Sequence, residues 1–152
     1  MNIRIIAVGR IKERYLQQGI NTYLKRIKSF CHVEIIEVPD EKAPENLSAA
    51  QGEIVKAKEG ERIRNAIRQN SYVIGLAIEG QALSSDDLAK RLRDLEFRGR
   101  ENIDFIIGGS LGLDKETLDR ANLLLSFSKL TFPHQLMRLI LMEQIYHVLQ
   151  IN

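Results

Sequence analysis

The chain has 152 residues and a mass of 17.4 kDa, room for one ordinary domain spanning 1–152 and too little for two. It is 44% hydrophobic and 28% charged, the balance of a globular protein with a core, and no stretch approaches the roughly twenty apolar residues that cross a bilayer. One cysteine, Cys31, excludes an intramolecular disulfide framework and a Cys-based zinc knuckle, and the N-terminal apolar run is too short for a signal peptide. These features predict a cytoplasmic protein with no membrane partner.

Taken in chain order, the apolar pattern alternates between two periods. Ile3–Val8 reads as a strand and Glu13–Phe30 as an amphipathic helix. Val33–Val38 is a second strand, followed by Pro39–Ser48, a polar stretch whose two prolines bar regular structure throughout. Glu53–Gln69 fits a charged helix, Tyr72–Ala77 a buried strand, and Glu79–Gly80 a turn. Ser84 to Asp87 carries N-cap chemistry for a helix ending near Phe97. Ile103–Ile107 is a fourth strand that runs into Gly108-Gly109-Ser110-Leu111-Gly112. Asp114 caps a short helix at Lys115–Ala121, Leu123–Phe127 is a fifth strand, and the last helix runs from about Pro133 to Ile151. Strand alternating with helix predicts an α/β fold: a mostly parallel sheet of five to six strands with helices on both faces.

In the last helix, eleven of the sixteen residues from Leu136 to Ile151 are apolar or tyrosine, and they point nearly all round the axis. Such a helix needs cover on more than one side, which in so small a chain predicts a homodimer interface.

Charge is segmented although the net value is only +2. Residues 1–28 hold seven basic side chains and one acid, residues 34–61 eight acids and three lysines. Arg4, Arg10, Lys12 and Arg14 form a local basic cluster suited to a phosphate backbone, although solvation of an exposed helix face explains such charges equally well.

Two late loops carry the chemistry. A glycine-rich turn after a strand lets a ligand lie close to backbone, yet Gly108–Gly112 is neither the dinucleotide fingerprint nor a Walker loop, and a plain turn stays open. Leu125–Gln135 joins a strand to the last helix with hydroxyl residues, two phenylalanines and a proline, which suits a purine ring as well as it suits a core-forming connection. His32, His134 and His147 have no metal-ligand spacing, so no metal site is predicted.

Beyond these features, the chain resembles the RlmH-type SPOUT methyltransferases along essentially its whole length. The resemblance rests on Ala7-Val8-Gly9, the run Glu37–Asn46, Phe105–Gly112 and Leu125–Arg138 (LSFSKLTFPHQLMR). It implies methyl transfer from S-adenosylmethionine to the N3 ring nitrogen of a pseudouridine in 23S (large-subunit) ribosomal RNA, on the ribosome. It further implies a homodimer and a C-terminal trefoil knot. By matching position, the cofactor contacts would be Leu76, Gly108 and the run Phe127, Ser128, Lys129, Leu130, Thr131 and Phe132. No metal is needed, because the sulfonium already activates the methyl group. The base that removes the ring proton is not identified; His134, Arg138 and Glu143 are the candidates, the alternative for Glu143 being an ion pair with Arg138, five residues away and not ideally spaced for it. Family members continue into a basic, aromatic tail where this chain stops at Asn152, so the 152-residue form is expected to bind cofactor but to methylate ribosomes poorly. The rival expectation is a ribosome-associated RNA-binding module that keeps the fold without catalysis, for which an intact cofactor loop would be useless.

Overall fold

The computed structural model describes residues 1–42 and 45–152; Ala43 and Pro44, within the run Glu37–Asn46, lie outside the described residues. The first strand, β1 (Asn2–Val8), sends Ile3, Ile5 and Ala7 to one face and Ile6 and Val8 to the other. Apolar side chains on both faces mark a central strand, and β1 lies between β2 (His32–Val38) and β4 (Asn102–Ile107). With β3 (Tyr72–Gln81) and β5 (Leu123–Leu125) the order is β2-β1-β4-β3-β5, and every pairing is parallel. Five strands meet the lower end of the expected number.

Helices cover both faces, as expected. On one side α1 (Arg14–Ile27), α3 (Ser85–Phe97) and α5 (His134–Ile151) bury Leu16, Ile20, Leu88, Leu92, Leu141 and Ile145 against Ile5, Phe105 and Ile74. Each such side chain, fully buried, contributes about 1.5–3 kcal/mol. On the other side α2 (Ala49–Ala66) and α4 (Lys115–Arg120) cover a smaller cluster around Ile6, Val73 and Ile106.

α1 and α2 end at Ile27 and Ala66, three residues short of the expected Phe30 and Gln69, and three further boundaries differ, each for a local reason. α2 starts four residues before Glu53 because Ser48 and Gln51 form a capping box, with hydrogen bonds of 3.1 and 2.9 Å, ahead of any apolar periodicity. Glu79–Gly80 is strand rather than turn. After an irregularity beyond Leu76, β3 pairs with β5 again at Gln81, whose carbonyl accepts the Ser126 N–H at 2.9 Å. Gly80 permits this, since a Cβ there would lie 2.6 Å from the Leu124 carbonyl. β5 correspondingly ends at Leu125, and Ser126–Phe127 already belong to the loop.

α5 also differs from its sequence reading. Within one chain it already has the sheet beneath it, with Leu141, Met142, Ile145 and Val148 buried, and α1 and α3 on its flanks. Its all-round apolar pattern is therefore largely met without a second subunit. The strip left more open carries Ile140, Glu143 and His147.

Candidate functional site

In a parallel sheet the strands end together, and ligands collect outside their carboxyl ends. Here the ends of β3, β4 and β5 frame a cavity of about 580 Å³, within the range of small-molecule sites. Its walls are Leu76 to Ile78 in the second half of β3, Ile107 to Gly112 at and after the end of β4, Leu125 to Ser128 and Leu130 to Pro133 at and after the end of β5, and His134 and Met137 on α5. Seven of the eight sequence-predicted cofactor residues meet there: Leu76, Gly108, Phe127, Ser128, Leu130, Thr131 and Phe132. Lys129 does not line it and is exposed.

The glycine turn is tight. Gly109 and Gly112 form an antiparallel bridge, the Gly112 N–H donates to the Gly109 carbonyl at 3.0 Å, and Gly112 has φ +87°. A Cβ on Gly108 would fall 2.5 Å from the Gly112 carbonyl carbon. Glycine at 108 is thus required by the turn folding back on itself, and room for a ligand is only its indirect result.

The loop after β5 is fastened by its serines. Ser126 Oγ donates to the Ser128 carbonyl at 3.0 Å, and Ser128 Oγ accepts the Leu130 N–H at 2.9 Å. Among the described residues, the N–H groups of Phe127, Ser128, Thr131 and Phe132 find no protein acceptor. Unpaired backbone donors beside Leu76, Ile107, Phe127 and Phe132 fit a nucleoside-bearing ligand, whose ring needs apolar faces and polar edges together. The residues present therefore suit S-adenosylmethionine.

The three catalytic candidates separate. His134 lines the cavity, half-buried; burial, then the nearby Arg138 charge, hold its imidazole below the usual histidine range against an opposing pull from Asp40. Arg138 is buried and engaged elsewhere. Its guanidinium donates to the Glu37 carboxylate at 2.5 Å, to the Gly9 carbonyl at 3.1 Å and to the Val8 carbonyl at 3.4 Å, tying α5 to the ends of β1 and β2. Only its Nε lacks a partner. Glu143 does not pair with Arg138; its carboxylate accepts from Gln144 Nε2 at 2.6 Å, and it stands outside the cavity lining.

The basic cluster also divides. Arg4 pairs with Glu34 at 2.7 Å and donates to the Ala66 carbonyl at 3.3 Å, so its charge is neutralised on β1. Arg10 and Lys12 are exposed on the connection from β1 to α1, and Arg14, also exposed, opens α1. That connection meets the start of α5, where Gln135 Nε2 donates to the Arg10 carbonyl at 3.3 Å beside His134.

Sequence reasoning missed the support behind the glycine turn. α2 packs Gly60 directly on the Asp114 carboxylate, and Arg64 donates to both Asp114 oxygens at 2.9 and 3.1 Å. Burial alone would raise the Asp114 pKa, but the hydrogen bonds from Thr117 and Arg64 outweigh it and hold the carboxyl below its usual range. The available signal was Gly60 itself, since a glycine inside a helix costs about 1 kcal/mol and marks a close approach.

The comparisons with known proteins agree with this geometry. A family model described as "Predicted SPOUT methyltransferase" matches residues 1–152. A relative from Clostridioides difficile, named "Ribosomal RNA large subunit methyltransferase H", is 59% identical over 152 residues, covering all of this chain and 96% of its own. One of the same name from Ligilactobacillus salivarius is 57% identical with the same coverage. Among solved structures, a probable methyltransferase from Bordetella pertussis superposes with a TM-score of 0.58 at 10% identity, covering 97% of this chain and 96% of that one. A probable methylase family protein from Haemophilus influenzae gives 0.53 at 13% identity, over 99% of this chain and 67% of that one; both likenesses concern the fold. The chain belongs to the SPOUT methyltransferase family.

Proposed function

We propose that this protein transfers a methyl group from S-adenosylmethionine to the N3 ring nitrogen of a pseudouridine in large-subunit ribosomal RNA, on the ribosome in the cytoplasm. The observation that carries the reading is the cavity at the ends of β3, β4 and β5, where seven of eight expected cofactor residues meet. The names of the relatives support the RNA substrate.

When bound, S-adenosylmethionine supplies a methyl group that needs no further activation. The chain must hold it and manage one proton. Leu76, Phe127 and Phe132 give apolar contact, and the backbone of 127–132 gives polar contact to a purine edge. His134 is the base in this reading. Its imidazole, kept neutral at the cavity wall, accepts the N3 proton as that nitrogen takes the methyl group. Arg138 orients the first turn of α5 from below. Arg10, Lys12 and Arg14 meet the RNA backbone at the same edge of the sheet. The 152 residues act as one methyltransferase domain, and two copies associate through the open strip of α5 beside Ile140 and His147.

Calorimetric titration with S-adenosylhomocysteine, followed by methylation of ribosomal subunits with labelled S-adenosylmethionine and mass analysis of the nucleosides, tests the reading. Saturable binding and one methylated pseudouridine are expected. A protein that takes up neither S-adenosylmethionine nor S-adenosylhomocysteine is instead the non-catalytic RNA-binding module. Sedimentation as a 17.4 kDa monomer throughout the micromolar range removes the dimer.

A further inference from the structure

Glu59 lies in the middle of α2 and is only 5% exposed. Its carboxylate reaches two loops at once. Oε2 accepts the Glu41 backbone N–H at 3.0 Å. Oε1 stands against the glycine turn, so close that a Cβ on Gly109 would come within 2.8 Å of it. Gly109 belongs to the cavity wall, and Glu59 supports that wall from behind.

Neighbouring residues of α2 hold what lies on either side. Arg64 and Gly60 fix Asp114, two residues beyond the turn. Arg62 donates to the Pro39 carbonyl at 3.0 Å and to the Glu41 carboxylate at 2.6 Å, and Lys58 reaches the same carboxylate at 3.4 Å. Segment 39–42 is thereby pinned to α2, with Asp40 standing 3.7 Å from where a Gly9 side chain would begin. Of these contacts, Glu59 is the one that joins segment 39–42 to the turn.

A carboxyl is an expensive choice for this position. Burial, with smaller contributions from Asp40 and Glu41, pushes Glu59 above the usual carboxylate range against the Glu41 N–H and Arg62. An apolar side chain would serve packing alone at lower cost. What a carboxyl adds is one oxygen that accepts the Glu41 N–H while the other is held in packing contact with Gly109.

We propose that Glu59 is a positioning residue of the methyl-donor pocket, setting the Gly108–Gly112 turn and segment 39–42 against each other through one carboxylate. The proposal rests on the reading that the cavity holds S-adenosylmethionine. It assigns a task to part of the Glu37–Asn46 run, which the cavity lining leaves unexplained.

The test uses Glu59→Ala, Glu59→Gln, Gly109→Ala and the Glu59→Ala/Gly109→Ala double variant. Each is measured by S-adenosylhomocysteine calorimetry and, without ligand, by amide hydrogen exchange. Glu59→Ala is expected to weaken binding about tenfold or more. It should also speed exchange at 40–42 and 109–112 while β1 and β4 stay protected. Glu59→Gln keeps an acceptor for the Glu41 N–H and stays within about threefold of the parent. Gly109→Ala displaces the carboxylate and weakens binding in the parent, yet adds less than about twofold once Glu59 is gone. Parent-like affinity and exchange in Glu59→Ala, or an equal Gly109→Ala penalty in both backgrounds, would overturn the proposal. The exchange arm needs no ligand. Loosening of both segments in a protein whose parent takes up no S-adenosylhomocysteine would keep the clamp and sink the proposed function.

Discussion

At the amino-terminal ends of β1, β3 and β4, Asp104 is completely buried and every oxygen it carries is used. Arg68 donates its Nε to Oδ1 at 2.9 Å and its backbone N–H to Oδ2 at 2.9 Å, and Ser71 Oγ adds a third partner at 3.0 Å. Arg68 also reaches the carbonyls of Asn2 and Ile103 at 3.2 Å. At the carboxyl ends the arrangement is reversed. Among the described residues, the N–H groups of Phe127, Ser128, Thr131 and Phe132 beside the cavity have no protein acceptor, and Arg138 Nε, though buried, has no partner. The amino-terminal end spends its buried polar groups on the fold, whereas the carboxyl end leaves half-buried and exposed loop donors beside a cavity, which is where the proposed function places its ligand. The closed end holds the fold; the open end holds the chemistry.

The largest expected effect lies at the closed end. Asp104→Ala leaves the Arg68 guanidinium with only carbonyl partners and a half-formed site, and removing one member of such a pair costs about 3–5 kcal/mol. Urea unfolding should show that loss in the midpoint, while the fraction that stays folded binds S-adenosylhomocysteine as the parent does. A comparable loss of ligand affinity would erase the distinction between the two ends.

Gly108→Ala probes the open end. Its Cβ meets the Gly112 backbone at 2.5–2.6 Å, where no flexible side chain can yield, so the turn must shift. Overpacking of this kind costs about 1–3 kcal/mol in stability. The larger consequence is expected in binding, where a tenfold loss corresponds to about 1.4 kcal/mol. A variant that is destabilised but binds S-adenosylhomocysteine normally would show the turn to be scaffold alone.

The two ends were also unequally legible in the sequence. The strands announced themselves because β1, β3 and β4 hold short apolar runs, Ile5–Val8, Val73–Ile78 and Phe105–Ile107, with apolar side chains on both faces. Helix starts at Ser84 and Asp114 were readable because capping depends on side chains only a few residues apart. Seven of the eight residues named by the resemblance line the cavity, and the glycines of one loop and the hydroxyl and phenyl side chains of the other had already singled out both. Pairings distant along the chain stayed hidden. Nothing local says that Arg138 meets Glu37 rather than Glu143, that Arg4 is neutralised by Glu34, or that Gly80 lies flat on β5. Each depends on which strands become neighbours. The homodimer expectation drew on a helix pattern that α1, α3 and the sheet largely satisfy within one chain.

The smallest effects are in pH dependence, and here the cavity wall and its support should move in opposite directions. Burial holds His134 below its ordinary value of 6.5, so the folded protein resists a proton that the unfolded chain accepts. Its contribution to stability is therefore complete above about pH 6.5 and is lost as pH falls from there through the folded-state value. In His134→Gln this loss disappears: the parent and variant unfolding midpoints should run parallel above about pH 6.5 and diverge in acid, the variant falling less. Glu59 is raised above its ordinary 4.5, so the folded state holds its proton more tightly than the unfolded chain does. Its contribution is complete below about pH 4.5 and is lost as pH rises through the folded-state value, which makes Glu59→Gln relatively more stable near neutrality. The two variants thus gain on opposite sides of the pH range. Parallel midpoints at every pH for His134→Gln would mean that folding leaves the imidazole's proton affinity unchanged, and would remove burial as the reason it stays neutral at the cavity wall. Methyl transfer by His134→Gln at the parental rate would exclude it directly, leaving S-adenosylhomocysteine affinity as the control that the pocket itself is intact.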